Sequence, residues 1–402
     1  MVAVKLPSAK NLKEITERGI LSILPSVEYF KKALESRKRL SFYLGVDPTA
    51  RALHIGNTVP LLFLRRLQGL GHRIVLLIGD FTARVGDPSN KFSSRKTLTE
   101  QEVNENMKSY KVQVGRVLSF SGSNPAEVVF NSSWLGKLSL LESLNIAQHI
   151  TVQRLIERDM FKDRIKHGRA IFLNEFLYPF LQGYDSVALN VDGEVGGSDQ
   201  LFNMLVGRDL LRTIKNKEKI VVSMDLLANP LTGKKMSKSE GMAIWLNDQP
   251  REMYGKIMNL PDSMVFPCFE LCTDLPEEDI KQLKEQSKKG NKIRDAKAYL
   301  ALNLVEMYHS KVKAKESETW FLKVFKNREF PKDASLIKLF NKEKTIFDLL
   351  TMHNLVSSRS EARRIITQGG VKLDGSIVRD WKALLPPNIS TLQIGKRRFY
   401  RF

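Results

Sequence analysis

The sequence predicts an α/β chain built on a doubly wound parallel sheet, followed by a helix-rich region and a small basic C-terminal region. Three observations predict it. Short apolar runs alternate with helical patterns through the first half, as in strands joined by crossover helices. From Pro250 to about Phe340 the chain is helix-rich, with a long amphipathic stretch at Asp295–His309. From Ile346 to Phe402 it carries ten Lys and Arg against four Asp and Glu, a charge of +6 in 57 residues. With 402 residues, at roughly 100–200 residues per domain, the expected division is 1–240, 241–344 and 345–402, with a helical insertion at about 137–181 in the first part.

Taken in order, Leu12–Leu34 is expected as a helix interrupted near Pro25, with Ile15, Ile20, Leu21, Ile23 and Leu24 on its apolar face. Leu40–Val46 has strand character, and a Gly/Pro/Thr turn leads to a helix from about Ile55 to Gly69. Ile74–Ile78 follows Gly71 as a second strand and Val128–Phe130 as a third. The Lys137–Leu181 stretch is mostly helical, and Ser186–Val191 and Lys219–Val222 are expected to complete the sheet. No repeat of 20–50 residues is visible, which argues against a solenoid.

Composition narrows the class. Hydrophobic residues at 42% and charged residues at 27% exclude disorder throughout. No apolar run approaches the ~18 residues of a membrane span. Lys and Arg number 64 against 44 Asp and Glu, and the net +20 points to a polyanionic partner, nucleic acid first. The two cysteines, Cys268 and Cys272, cannot make a disulfide scaffold or complete a zinc shell, and are expected as reduced thiols. The N-terminal stretch has no basic-then-apolar pattern, and Glu14 and Glu17 do not suit an acid-poor transit peptide. The expected location is therefore the cytoplasm, with an organellar matrix as the alternative.

Chemistry is concentrated in two segments. Tyr43-Leu-Gly-Val-Asp-Pro-Thr-Ala-Arg-Ala-Leu-His54-Ile-Gly-Asn57 lies where the first strand turns into a helix, the place where such sheets bind nucleotides. His54 and Asn57 are three residues apart, hence on one side of the first helical turn. Alone, the tetrapeptide would also suit a loop histidine near a helix cap. Gly233-Lys-Lys235-Met-Ser-Lys238-Ser239 follows the last strand candidate, and alone it would suit a solvated basic loop.

Together the two segments resemble the HIGH and KMSKS signatures of class I aminoacyl-tRNA synthetases, and the chain looks like a member of the bacterial tyrosyl type. The similarity continues through Leu77–Ser89, Tyr178–Asp185 and Gly196–Gln200. Ser358–Gly375 is similar to the S4 RNA-binding fold. One departure stands out: the second His of HIGH is Asn57.

The resemblance implies a Rossmann-like catalytic domain, a helical tRNA-binding domain and a small α+β S4-like domain. It implies tyrosine activation by ATP, brought with Mg²⁺ held by phosphates and water rather than by a protein metal site, and then transfer to tRNA(Tyr). Thr49, His54, Asn57, Lys91, Arg95, Lys235 and Lys238 match the residues that handle the departing pyrophosphate. Gly45, Asp47, His54, Gly56, Gly197, Asp199 and Lys238 match the ATP contacts. Tyr43 and Asp185 match the contacts to the phenol, Asp87, Tyr178 and Gln182 those to the substrate ammonium, and Gln200 lies near the carboxylate end. Arg359, Arg363, Arg364, Lys396, Arg397 and Arg398 match an RNA-binding surface. A homodimer is implied, with the region near Trp134–Ile156 at its interface. A tryptophanyl relative is the alternative enzyme, disfavoured by the Tyr43 and Asp185 pair; an RNA-binding protein that lost catalysis is the alternative outside enzymes.

Overall fold

The computed structural model describes residues 3–88, 98–236, 243–288, 292–326, 330–331, 334–339, 343–395 and 398–402. The first sheet consists of β1 (Ile20–Leu24), β2 (Ser41–Val46), β3 (Arg73–Ile78), β4 (Glu127–Phe130), β5 (Gly193–Gly197) and β6 (Ile220–Met224). Their spatial order is β1-β6-β5-β2-β3-β4. Strands β2 to β6 run parallel, and β1 lies antiparallel against β6 at the edge. Every residue of β3 after Arg73 is buried, because a parallel strand with elements on both faces has no solvent side. The Thr58–Gly69 helix lays Val59, Leu62, Phe63 and Leu67 into the same core.

Two segments differ from expectation. Ile20–Leu24, expected within one helix over Leu12–Leu34, is strand β1 between helices at Ala9–Glu17 and Val27–Glu35. Gly19, at φ +64°, turns the chain out of the first helix. Ser26 caps the second, its Oγ accepting from the Tyr29 amide at 3.1 Å. Between these two stops the apolar run pairs with β6. Ser186–Val191, expected as a strand, is mostly the end of the Leu173–Leu189 helix. A short apolar run does not distinguish the two conformations. Here Phe180 and Val187 share a helical stripe packed against Val206, Leu210 and Leu211 of the Leu201–Lys215 helix. Asn190, at φ +48°, then turns the chain toward β5.

The helices Pro250–Met258, Asp262–Cys272, Ile293–Tyr308 and Lys311–Phe321 share one hydrophobic cluster with the sheet, running from Ile15 to Ala314. Cys268 and Cys272 are unpaired and buried there, and burial pushes the Cys268 thiol up to about 12. A second cluster, around Ile346, Leu350, Ile366, Val371 and Leu392, belongs to the C-terminal region. Its sheet contains β7 (Ser335–Leu336), β8 (Val371–Leu373), β9 (Ser376–Val378), β10 (Thr391–Ile394) and β11 (Arg398–Arg401), in the order β7-β11-β10-β8-β9. Helices Ile346–Met352 and Arg359–Thr367 complete it. Among the described residues no helix is long and apolar enough to cross a membrane.

Candidate active site

Strand β2 has β3 on one side and β5 on the other, so the connections leave it in opposite directions and a crevice opens at its carboxyl end. A cavity of about 470 Å³ occupies that crevice. Tyr43, Gly45, Asp47 and Thr49 line it from β2 and the following turn, and His54, Gly56 and Asn57 from the next turn. Asp87 closes one side, and Tyr178, Gln182 and Asp185 project from the Leu173–Leu189 helix. Gly197, Asp199 and Gln200 come from the end of β5, and Lys235 from the second basic segment. Fifteen residues chosen from separate stretches of sequence thus meet in one place.

Backbone pairing ties the first signature segment to the chain that follows the second. The Ile55 amide donates to Ile244 O at 2.9 Å, and the Leu246 amide to Leu53 O at 2.8 Å. The Met236 amide donates to Leu227 O at 2.8 Å, fixing the chain on the near side of the basic segment. Lys235 Nζ lies 3.3 Å from Asp199 Oδ2. Lys238, Lys91 and Arg95 lie outside the described residues.

At the first signature, Asn57 Oδ1 accepts from the His54 amide at 2.9 Å, closing a tight turn at the start of the helix. Gly56 keeps the turn close to the ring: a Cβ there would stand 3.0 Å from the His54 imidazole, which would have to shift. Burial lowers the His54 imidazole to about 4, so it is neutral at physiological pH. Its Nδ1 is buried without a hydrogen-bond partner among the described residues.

The carboxylates are separately tethered. Asp47 accepts from Thr82 Oγ1 at 2.7 Å and from the Tyr178 hydroxyl at 2.9 Å. Asp87 accepts from Gln200 Nε2 at 2.8 Å and pairs with Arg158 at 3.7 Å. Asp185 accepts from Trp134 Nε1 at 2.8 Å and from Asn131 Nδ2 at 3.3 Å. Burial raises the Asp185 carboxyl well above the usual range, and these two donors oppose the rise. Tyr43 and Asp185 are the buried wall of the cavity, 0% and 2% exposed.

Comparisons with known proteins give the family. Residues 35–326 match the family of class I tRNA synthetases (W and Y), and residues 346–387 the S4 domain. A tyrosine–tRNA ligase from Thermotoga maritima is 40% identical over 390 residues, covering 96% of each chain. One from Carboxydothermus hydrogenoformans is 40% identical over 409 residues, covering 98% of this chain and 97% of its own. The chain belongs to the class I tyrosine–tRNA ligases. Among solved structures, the C-terminally truncated mitochondrial tyrosyl-tRNA synthetase of Aspergillus nidulans superposes with a TM-score of 0.68 at 25% identity. That match covers 79% of this chain and 95% of the other.

Residues outside the expected site set also line this cavity or stand behind its walls. Thr82, Asn131 and Trp134 hold Asp47 and Asp185, and Arg158 faces Asp87. Asn203 Nδ2 donates to Gln182 Oε1 at 2.9 Å. Glu194 accepts from Gln182 Nε2 at 3.3 Å and forms a buried ion pair with Lys219. Thr82 lies within the Leu77–Ser89 stretch; the others belong to no local motif. The one available signal was charge placed in apolar surroundings, as in Glu194 and Lys219 beside β5 and β6.

In the C-terminal region Arg359, Arg363, Arg364 and Arg398 are all exposed. Arg363 stacks 4.6 Å from the Trp381 ring centroid, and Lys382 lies 5.3 Å from the same ring. Lys396 and Arg397 lie outside the described residues.

Proposed function

We propose that the cavity binds L-tyrosine and ATP side by side and joins them as tyrosyl-adenylate, which then charges tRNA(Tyr). The observation that carries this reading is that both signature segments border one cavity whose buried wall is Tyr43 and Asp185. The phenol donates to Asp185 and accepts from Tyr43. A carboxylate left without that donor would be costly, which favours tyrosine over phenylalanine; tyrosyl enzymes are themselves the standard illustration of such discrimination. Asp87, Tyr178 and Gln182 surround the ammonium, with Gln200 toward the carboxylate.

The tyrosine carboxylate attacks the α-phosphorus of ATP, the bond to pyrophosphate breaks, and a mixed anhydride forms. An ionised carboxylate needs no general base, so the protein contributes orientation and charge stabilisation. Gly45, Asp47, Gly56, Gly197 and Asp199 receive the nucleotide. Thr49, His54, Asn57, Lys235 and, by sequence, Lys91, Arg95 and Lys238 face the departing pyrophosphate. Neutral His54 acts as a hydrogen-bond donor. Asp47, Asp87 and Asp199 each already hold a protein partner, which suits Mg²⁺ carried on the phosphates rather than in a protein cage. The terminal ribose hydroxyl of tRNA then attacks the anhydride carbonyl and AMP leaves.

The basic C-terminal face, Arg359, Arg363, Arg364, Lys396, Arg397 and Arg398, holds tRNA phosphates. We assign residues 1–240 to catalysis, the helices after them to a helical tRNA contact, and the C-terminal region to the S4-like clamp, whose sheet takes in β7 and so begins ahead of the expected boundary at 345. A homodimer completes the reading, supported by Leu140, Leu141 and Leu144, which are 77%, 68% and 59% exposed on one short helix; a cytoplasmic location is proposed with it. Exchange of labelled pyrophosphate into ATP tests the first step: dependence on tyrosine is expected. Dependence on tryptophan alone, or no exchange beside tight RNA binding, would replace this reading with one of its alternatives.

A further inference from the structure

Behind the wall formed by Tyr43 lies a buried polar cluster. Tyr43 on β2 is paired in register with Glu194 on β5. Lys219, fully buried just before β6, donates from Nζ to Glu194 Oε2 and, at 2.7 Å, to Ser186 Oγ. Ser186 Oγ is in turn 2.9 Å from the Tyr43 hydroxyl and 3.4 Å from Glu194 Oε2. The Lys219 ammonium also lies 6.0 Å from the Tyr43 ring centroid. The fold makes room for this cluster. A Cβ on Gly207 would stand 2.7 Å from both Lys219 Nζ and Ser186 Oγ, so glycine at that point of the Leu201–Lys215 helix leaves space for both groups.

The direction of the hydrogen bonds follows from proton counting. Ser186 has one hydroxyl proton and two oxygens competing for it. The contact to Tyr43 is the shorter, 2.9 Å against 3.4 Å, and Glu194 Oε2 is already neutralised by the Lys219 ammonium, which makes the Tyr43 hydroxyl the better placed acceptor. With Ser186 donating to it, Tyr43 is left to direct its own proton into the cavity. Without the ammonium, Ser186 would donate to the bare carboxylate and accept from Tyr43, and the wall would present a lone pair instead.

We propose that Lys219 is a positioning residue that, through Ser186, sets Tyr43 as a hydrogen-bond donor and so selects an aromatic substrate bearing a phenolic oxygen. The proposal rests on the reading of this cavity as a tyrosine site. It adds a source of selectivity lying beyond the residues that touch the substrate.

The test uses the full chain and compares pyrophosphate exchange with tyrosine and with phenylalanine. Lys219→Met combined with Glu194→Gln removes both charges together while keeping similar volume. Ser186→Ala interrupts the relay while leaving the ion pair, and keeps the test valid if the double variant does not fold. Loss of a charge-assisted hydrogen bond is expected to lower the tyrosine-to-phenylalanine ratio of kcat/KM by about tenfold to a hundredfold. The change should appear in KM for tyrosine, with KM for ATP close to wild type. An unchanged ratio, or equal losses for both amino acids and for ATP, would overturn the proposal. Failure of the tyrosine reading is seen separately, in wild-type enzyme that shows no tyrosine-dependent exchange, and it would overturn the proposal as well.

Discussion

Asn57 Oδ1 accepts a hydrogen bond from the His54 backbone amide at 2.9 Å, so the residue that departs from the family signature also braces the turn carrying its histidine. Because the amide oxygen is committed to that bond, the NH₂ group is the part left to act as a donor. Asn57→Asp keeps the acceptor and loses the donor, placing a negative charge where pyrophosphate departs. The exchange rate is expected to fall by about a hundredfold or more, with the unfolding midpoint near wild type. Asn57→Ala should lose the same donor and also about 0.5–1.5 kcal/mol of stability. A full exchange rate in Asn57→Asp would show that Asn57 does not face the phosphates.

His72 gives a pH dependence to stability. It is fully buried, its Nδ1 accepts from the Leu40 amide at 3.3 Å, and Nε2 has no partner among the described residues. Burial, assisted by Arg39 and opposed by Asp192, lowers it from 6.5 to about 4. Unfolding therefore takes up a proton between those two values. The stability contributed by neutral His72 is complete above about 6.5 and is lost as the pH falls toward about 4. Denaturant unfolding at several pH values should show a smaller fall from pH 6.5 to 4.5 in His72→Gln than in wild type. Parallel curves for the two proteins would contradict the assignment.

The exposed leucines of the Leu140–Ala147 helix predict a dimer. Light scattering should give twice the chain mass of 45.9 kDa. Leu140→Glu with Leu144→Glu, placing like charges on that patch, is expected to yield a folded monomer. A dimer unaffected by both charges would move the interface elsewhere.

The C-terminal region has its own hydrophobic cluster, yet its sheet borrows β7, and Phe399 packs on Trp320 and Phe330. The clean place to divide the chain is therefore before β7. A protein ending at Lys326 should keep the catalytic core folded and retain tyrosine-dependent exchange. Losing the basic face should reduce tRNA charging by orders of magnitude at ordinary salt, since several phosphate contacts go at once. Unimpaired charging would remove the C-terminal region from its assigned role.

The sequence by itself determined what is encoded locally. The β2 turn with His54 and Asn57, the Gly197–Gln200 corner and the Lys235 segment are each short stretches whose residue types announce their chemistry, and the structure gathers them around one cavity. The buried run of β3 was legible for the same reason, since a strand covered on both faces is apolar at successive positions. Tertiary structure alone decided the rest. Ile20–Leu24 is a strand because β6 offers it an edge, and Ser186–Leu189 is helical because Val187 meets Val206 and Leu210. The partners of Asp185, Asn131 and Trp134, and the Lys219–Ser186–Tyr43 cluster join side chains from elements far apart in sequence. Their hydrogen bonds exist only once burial has removed water and left each polar group to find a partner within the fold.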